Sequence, residues 1–192
     1  AWEAGAKEWR EHAGKKSAGF FPVHEAWTEY EPVGLTGTGA GPLPSISEVT
    51  ARYTTAVNRF GEREIADKVT ELSAQIAAEP GNPKPRNNIG VLYAQYGVYD
   101  KAREHFAAAS EYQFTPAMVN LGNILFLEGK YNESLKYFNR ANEMRAGNPQ
   151  TLLGIAKANY ELENHGNVKR AYDELQRKDP DLAAQFSYLV AG

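Results

Sequence analysis

The chain has 192 residues, enough for one or two domains with a real core. Its 21 Lys+Arg against 24 Asp+Glu leave a net charge of −3 with no basic stripe, which argues against nucleic acid as a main partner. Zero cysteines exclude disulfides, thiolate metal sites and a cysteine nucleophile.

Residues 1–46 read as an aromatic N-terminal extension and a Gly/Pro-rich loop. Trp2, Ala6, Trp9 and Ala13 recur at helical spacing, so a short amphipathic helix is expected before Gly14–Gly19 breaks it. His24–Tyr30 supplies another turn or two, and Leu35–Pro44 is a connector. The rings of Trp2, Trp9, Phe20, Phe21, Trp27 and Tyr30 argue against disorder and for packing, either on the hairpin at 47–78 or on a neighbouring domain. Residues 1–48 hold 4 basic and 7 acidic side chains, so the mild acidity is N-terminal.

Residues 47–82 read as a degenerate helical hairpin. Ser45 or Ser47 caps its first helix, which is expected to reach about Phe60. Gly61 is read as the break, and a second helix over 63–78 buries Val69, Leu72 and Ile76. Pro80-Gly81-Asn82-Pro83 ends it.

A repeat fills residues 83–182. Its first unit runs Ile89, Gly90, Tyr93, Gly97, Tyr99, Ala102, Phe106, Ala109. The second runs Leu121, Gly122, Leu125, Gly129, Tyr131, Ser134, Phe138, Ala141. The third is looser: Ile155, Ala156, Asn159, Glu163, His165, Val168, Tyr172, Leu175. Gly90, Gly122 and Ala156 stand 32 and 34 residues apart, a period at which helix hairpins stack into solenoids. The small residues let a second helix approach the first. Gly97 and Gly129 suit a left-handed helix end. Glu163 and His165 replace the turn glycine and tyrosine, so the last hairpin is expected to turn differently. A final helix over 181–192, using Leu182, Phe186 and Leu189, caps the stack.

These positions closely resemble the tetratricopeptide repeat (TPR). The resemblance implies an all-α fold: a right-handed TPR superhelix, or α-solenoid, of about three repeats, with the degenerate hairpin and the capping helix. Residues 1–32 also resemble the segment after the catalytic core of bacterial transglutaminase-like proteins that carry C-terminal TPRs, although no catalytic Cys-His-Asp set is present.

In TPR proteins the first helices of successive hairpins line a concave groove. Carried over residue by residue, that groove would show Asn87, Asn88, Val91 and Gln95 from the first unit. Val119, Asn120, Asn123, Phe126 and Leu127 would follow from the second, then Leu153, Lys157, Tyr160 and Glu161 from the third. Asn88 and Asn120 take equivalent places, where an amide either reads a peptide backbone or bridges neighbouring helices. Phe126 and Tyr160, also equivalent, offer apolar pockets. The family's carboxylate clamp needs Lys, Asn, Lys and Arg where Asn87, Val91, Gln150 and Gly154 stand, so docking of chaperone C-termini is not expected.

Chemistry is sparse. His12, His24, His105 and His165 sit in separate elements without metal-ligand spacing. Gly37–Gly41 lacks a preceding strand and a following G-K-[ST], so it is a connector and no phosphate loop. No cofactor and no enzymatic activity are expected. No segment approaches the length of about 20 apolar residues that membrane insertion needs.

The expected partner is a protein or peptide, with a monomeric chain favoured. The alternatives are a non-catalytic accessory region of a larger enzyme, or self-assembly through open solenoid ends. The chain begins at Ala1 and reads as a processed protein or a piece of a longer one. Bacterial export, to which the absence of cysteine is suited, is slightly favoured over the cytoplasm.

Overall fold

The computed structural model describes residues 45–191. The features expected in residues 1–44 lie outside them. The chain divides into two compact units, Ala1–Phe60 and Gly61–Gly192. Among the described residues every regular element is helical.

Helix α1 spans Ile46–Ala78. Ser45 caps it: the Ser45 N–H and hydroxyl donate to the Glu48 carboxylate at 2.7 and 2.9 Å, and the Glu48 N–H returns a bond to Ser45 Oγ at 3.2 Å. This reciprocal box satisfies two backbone donors that a helix start leaves free. The Ser45 backbone N–H, and then its hydroxyl, hold the Glu48 carboxyl below its ordinary pKa.

The expected hairpin over 47–82 does not form, because α1 runs through Gly61 as one helix of 33 residues. A lone glycine costs a helix interior only about 1 kcal/mol, and no proline reinforces it. The glycine has another use. A Cβ on Gly61 would stand 2.8 Å from Tyr96 Cβ and 3.1 Å from Val98 Cγ2, so the missing side chain makes room for the first turn of the repeats. Beyond it, Ile65 and Leu72 are buried, with Val69 and Ile76 half-buried, on one stripe facing the first hairpin. Lys101 reaches Glu62 at 2.7 Å across that contact, and this bond raises the Lys101 pKa.

Three hairpins follow: α2 (Pro83–Gln95) with α3 (Tyr99–Ser110), α4 (Thr115–Leu127) with α5 (Tyr131–Met144), and α6 (Pro149–Glu161) with α7 (His165–Lys178). Prolines occupy the first turns of α2, α4 and α6, where a missing N–H costs nothing. Asn82 and Asn148 cap α2 and α6 by accepting from Lys84 N and Thr151 N, each at 3.1 Å.

The two repeat glycines are holes for rings. A Cβ on Gly90 would lie 2.6 Å from Phe106 Cδ1, and one on Gly122 would lie 2.7 Å from Phe138 Cε1. Gly154, which the repeat pattern had not marked as a packing position, closes the other side of Phe138: its Cβ would stand 2.6 Å from Cε1. Phe138 is thus clasped between two glycines of successive first helices. Ser134, in the alanine place of α5, is fully buried and donates to the Gly122 carbonyl at 2.8 Å. The small hydroxyl fits because the helix it meets supplies an acceptor.

The third turn corrects another expectation. Glu163 sits at φ 55°, alongside 74° for Gly97 and 73° for Gly129. Its N–H bonds to Tyr160 O at 3.0 Å and the Asn164 N–H to Asn159 O at 2.8 Å. Gly97 and Val98 make the same pair with Ala94 O and Tyr93 O. The hairpin turns as its predecessors do, and a glutamate bears the left-handed strain that glycine would avoid, a cost of about 1–2 kcal/mol. Glu163→Gly is therefore expected to raise stability by about 0.5–1 kcal/mol, read as a higher urea midpoint at unchanged slope. A lowered midpoint would show that the Glu163 side chain holds the turn.

The C-terminal helix is shorter than expected. It comprises α8 (Pro180–Gln185), and a 3-10 turn at Ser187–Val190 follows. Ala183 and Leu189 are buried against Leu152, Val168, Tyr172 and Leu175, with Leu182 and Phe186 half-buried beside them. The Tyr172 hydroxyl donates to Ala183 O at 2.9 Å. Breaking the helix at Phe186 is what lets both Ala183 and Leu189 reach one core.

Candidate functional site

The first helices α2, α4 and α6 are neighbours in turn. Two side-chain contacts join them on the surface expected to face a ligand.

Between α2 and α4, Asn120 Nδ2 donates to Asn87 Oδ1 at 3.0 Å. The bridge uses Asn87, which is buried, and leaves Asn88 exposed and outside it. The asparagines thus differ in role: Asn87 and Asn120 fix two repeats together, while Asn88 is open to solvent. Gln95 and Asn123 are also exposed. Val91 is half-buried against the core, and Leu153 is buried.

Between α4 and α6, the Lys157 ammonium lies 4.8 Å from the Phe126 ring centre and 5.9 Å from that of Phe186. A cation over ring faces is held by their quadrupoles, at about 0.5–1 kcal/mol per exposed contact. Phe126 packs at 5.2 Å on Tyr131. Tyr160 meets Tyr188 edge-on at 5.9 Å, and Tyr188 meets Phe186 at 6.2 Å. Phe126, Lys157, Phe186, Tyr188 and Tyr160 therefore form one chain of contacts. Leu127, adjacent to Phe126, is 65% exposed.

Phe186 and Tyr188 were not among the residues expected on this surface, yet they meet Lys157 and Tyr160. A regular helix over 181–190 would not have brought Tyr188 to Tyr160. The break after Gln185 does.

The clamp positions have a structural explanation at one place. An arginine at Gly154 would collide with Phe138, so that position cannot carry the side chain without displacing the ring. Elsewhere on the repeats, burial lowers the pKa of His105, which stacks on Tyr93 at 5.6 Å; the Glu104 charge opposes this, and the Arg86 and Lys101 charges add to it. Among the described residues no cluster of three His, Asp or Glu side chains is placed to hold a metal, and no helix is long and apolar enough to cross a membrane.

Residues 115–148, the α4–α5 hairpin with its flanks, match the tetratricopeptide repeat family model. The described residues have the fold of a TPR solenoid. Among curated proteins it is similar to the Protein CTR9 homolog of Arabidopsis thaliana, at 28% identity over 95 residues. That match takes in 48% of this chain but 9% of the relative.

Among solved structures it resembles a chain of the APC/C hetero-tetramer Cut9–Hcn1, with a TM-score of 0.58 and 17% identity over 75% of this chain and 28% of that one. It also resembles PilF of Pseudomonas aeruginosa, with a TM-score of 0.55 and 20% identity over 77% and 73%. The chain thus spans less than a third of the first two relatives. The transglutaminase-like resemblance of residues 1–32 falls outside the described residues and gains no support from these relatives.

Proposed function

We propose that the chain binds a segment of a partner protein in the groove lined by α2, α4 and α6. The observation that carries this reading is the cluster running from Phe126 through Lys157 to Tyr160, with Leu127 exposed beside it. Large apolar side chains that the solenoid leaves in water are natural anchor sites for a partner. Tyr160 and Tyr188 are 40% and 52% exposed, so their rings offer apolar faces while the hydroxyls stay hydrated. Asn88, Gln95 and Asn123 add free amides along the same helices, able to pair with an extended backbone. The bridge from Asn120 to Asn87 holds the first two repeats at fixed spacing, so little ordering is left for binding to supply.

The test is capture of partners from the native host with the full chain and with Leu127→Asp/Tyr160→Ala. Both residues are exposed, so the variant is expected to melt as the wild type does. Loss of an anchor costs about 2 kcal/mol or more, roughly a thirtyfold weaker Kd. If every captured protein binds the variant as tightly as the wild type, the groove is not the binding surface.

A further inference from the structure

A second site lies on a different face of α6. A cleft of about 330 Å³ opens between α5, α6 and α7. Leu135, Leu152 and Ile155 give it aliphatic walls, and Asn159, Arg170 and Glu174 bring polar groups to it.

Asn159 is out of keeping with the repeat. The equivalent places hold Tyr93 and Leu125, both buried in the core. Asn159 is 98% buried (2% exposed), and its Nδ2 donates to Ile155 O at 2.8 Å. That bond fixes the amide's orientation, and Oδ1 is left buried without a donor among the described residues. A buried acceptor without a partner is costly, because it has given up its hydrogen bond to water and gained none. Glu174 is half-buried in the same cleft, and its carboxylate has no cation or hydrogen-bond donor among the described residues. Arg170, one turn away on α7, is exposed at the rim. Asn139, Asn142 and Asn167 add amides to the lining, and Asn159 Oδ1 and the Glu174 carboxylate are its two acceptors without a donor among the described residues, one of them anionic.

We propose that this cleft receives a lysine or arginine side chain of a partner protein. The methylene stem lies along Leu135, Leu152 and Ile155, as such stems do on apolar surface. The charged end donates to Asn159 Oδ1 and pairs with the Glu174 carboxylate. Both groups lack partners of their own, and a cationic donor satisfies both at once. Arg170 opposes the incoming charge, which gives the proposal a signature: removing the two charges of α7 moves affinity in opposite directions.

The experiment titrates the 15N-labelled full chain with N-acetyl-arginine amide, N-acetyl-lysine amide and the uncharged N-acetyl-norleucine amide. The cationic amides are expected to shift the Asn159 side-chain resonances and the α7 backbone, and the norleucine amide to bind at least tenfold more weakly. Glu174→Gln should weaken the cationic ligands about tenfold, and Arg170→Gln should tighten them severalfold. Asn159→Leu, which places in repeat three the residue that repeat two already uses, should keep the fold and lose the binding.

Three results would overturn the proposal. One is an absence of shifts with either cation, in which case a single buried water serves Asn159. Another is equal binding of the norleucine amide. The last is weaker cation binding in Arg170→Gln.

Discussion

Gly122→Leu is expected to lower stability by about 3 kcal/mol or more, at the upper end of what overpacking costs. A Cβ at this position already stands 2.7 Å from Phe138 Cε1, and a leucine adds three more carbons beyond it. The ring cannot retreat. Gly154 closes its other side at 2.6 Å, and Phe138 is only 1% exposed. The helices would have to part instead, and the bond from Ser134 to the Gly122 carbonyl would part with them.

For a chain of this length the loss corresponds to a thermal midpoint lowered by roughly 6–12 °C. Gly166→Ala is the control. Nothing lies within 4 Å of its added Cβ, and alanine is the better helix former, so its midpoint should hold or rise. An unchanged midpoint for Gly122→Leu would mean that the ring does not occupy the hole between the repeats.

Removal of residues 180–192 is the second large effect. It uncovers Leu152, Val168, Tyr172 and Leu175, which Ala183 and Leu189 cover. A fully buried leucine such as Leu189 contributes about 1.5–3 kcal/mol. The Tyr172 hydroxyl also loses its acceptor at Ala183, at a further cost of about 1–3 kcal/mol if the group stays buried. Against a total stability of roughly 5–15 kcal/mol, the truncated chain should melt far earlier and self-associate through the open end. Light scattering and a thermal scan read both effects. A truncated monomer with the midpoint of the full chain would show that the last hairpin needs no cover. The same truncation removes the contacts of Phe186 and Tyr188 with Lys157 and Tyr160, so its binding behaviour does not test the proposed groove separately.

What the sequence determined by itself was local and periodic. Gly90 and Gly122 could be read from their spacing as places where a second helix comes close, and Phe106 and Phe138 as core-facing residues of that helix, because a helix fixes which of its residues share a face. Gly97 and Gly129 announced left-handed turns because glycine adopts them without strain. The proline at 83 marked the end of the preceding helix for an equally local reason, since it lacks an N–H.

Tertiary structure decided the rest. Gly61 looks like a helix break in isolation, and only the neighbouring Tyr96 shows that it is a contact point inside a continuous helix. Glu163 gives no local sign of a left-handed turn, which the stacking of the third hairpin imposes on it. The spacing put Phe126 and Tyr160 in equivalent places, but no spacing could bring Phe186 and Tyr188 to join Lys157 and Tyr160. Nor could it choose Asn87 over Asn88 as the partner of Asn120. Adjacent residues on a helix point about 100° apart, and which of them meets the next repeat depends on how the two helices pack.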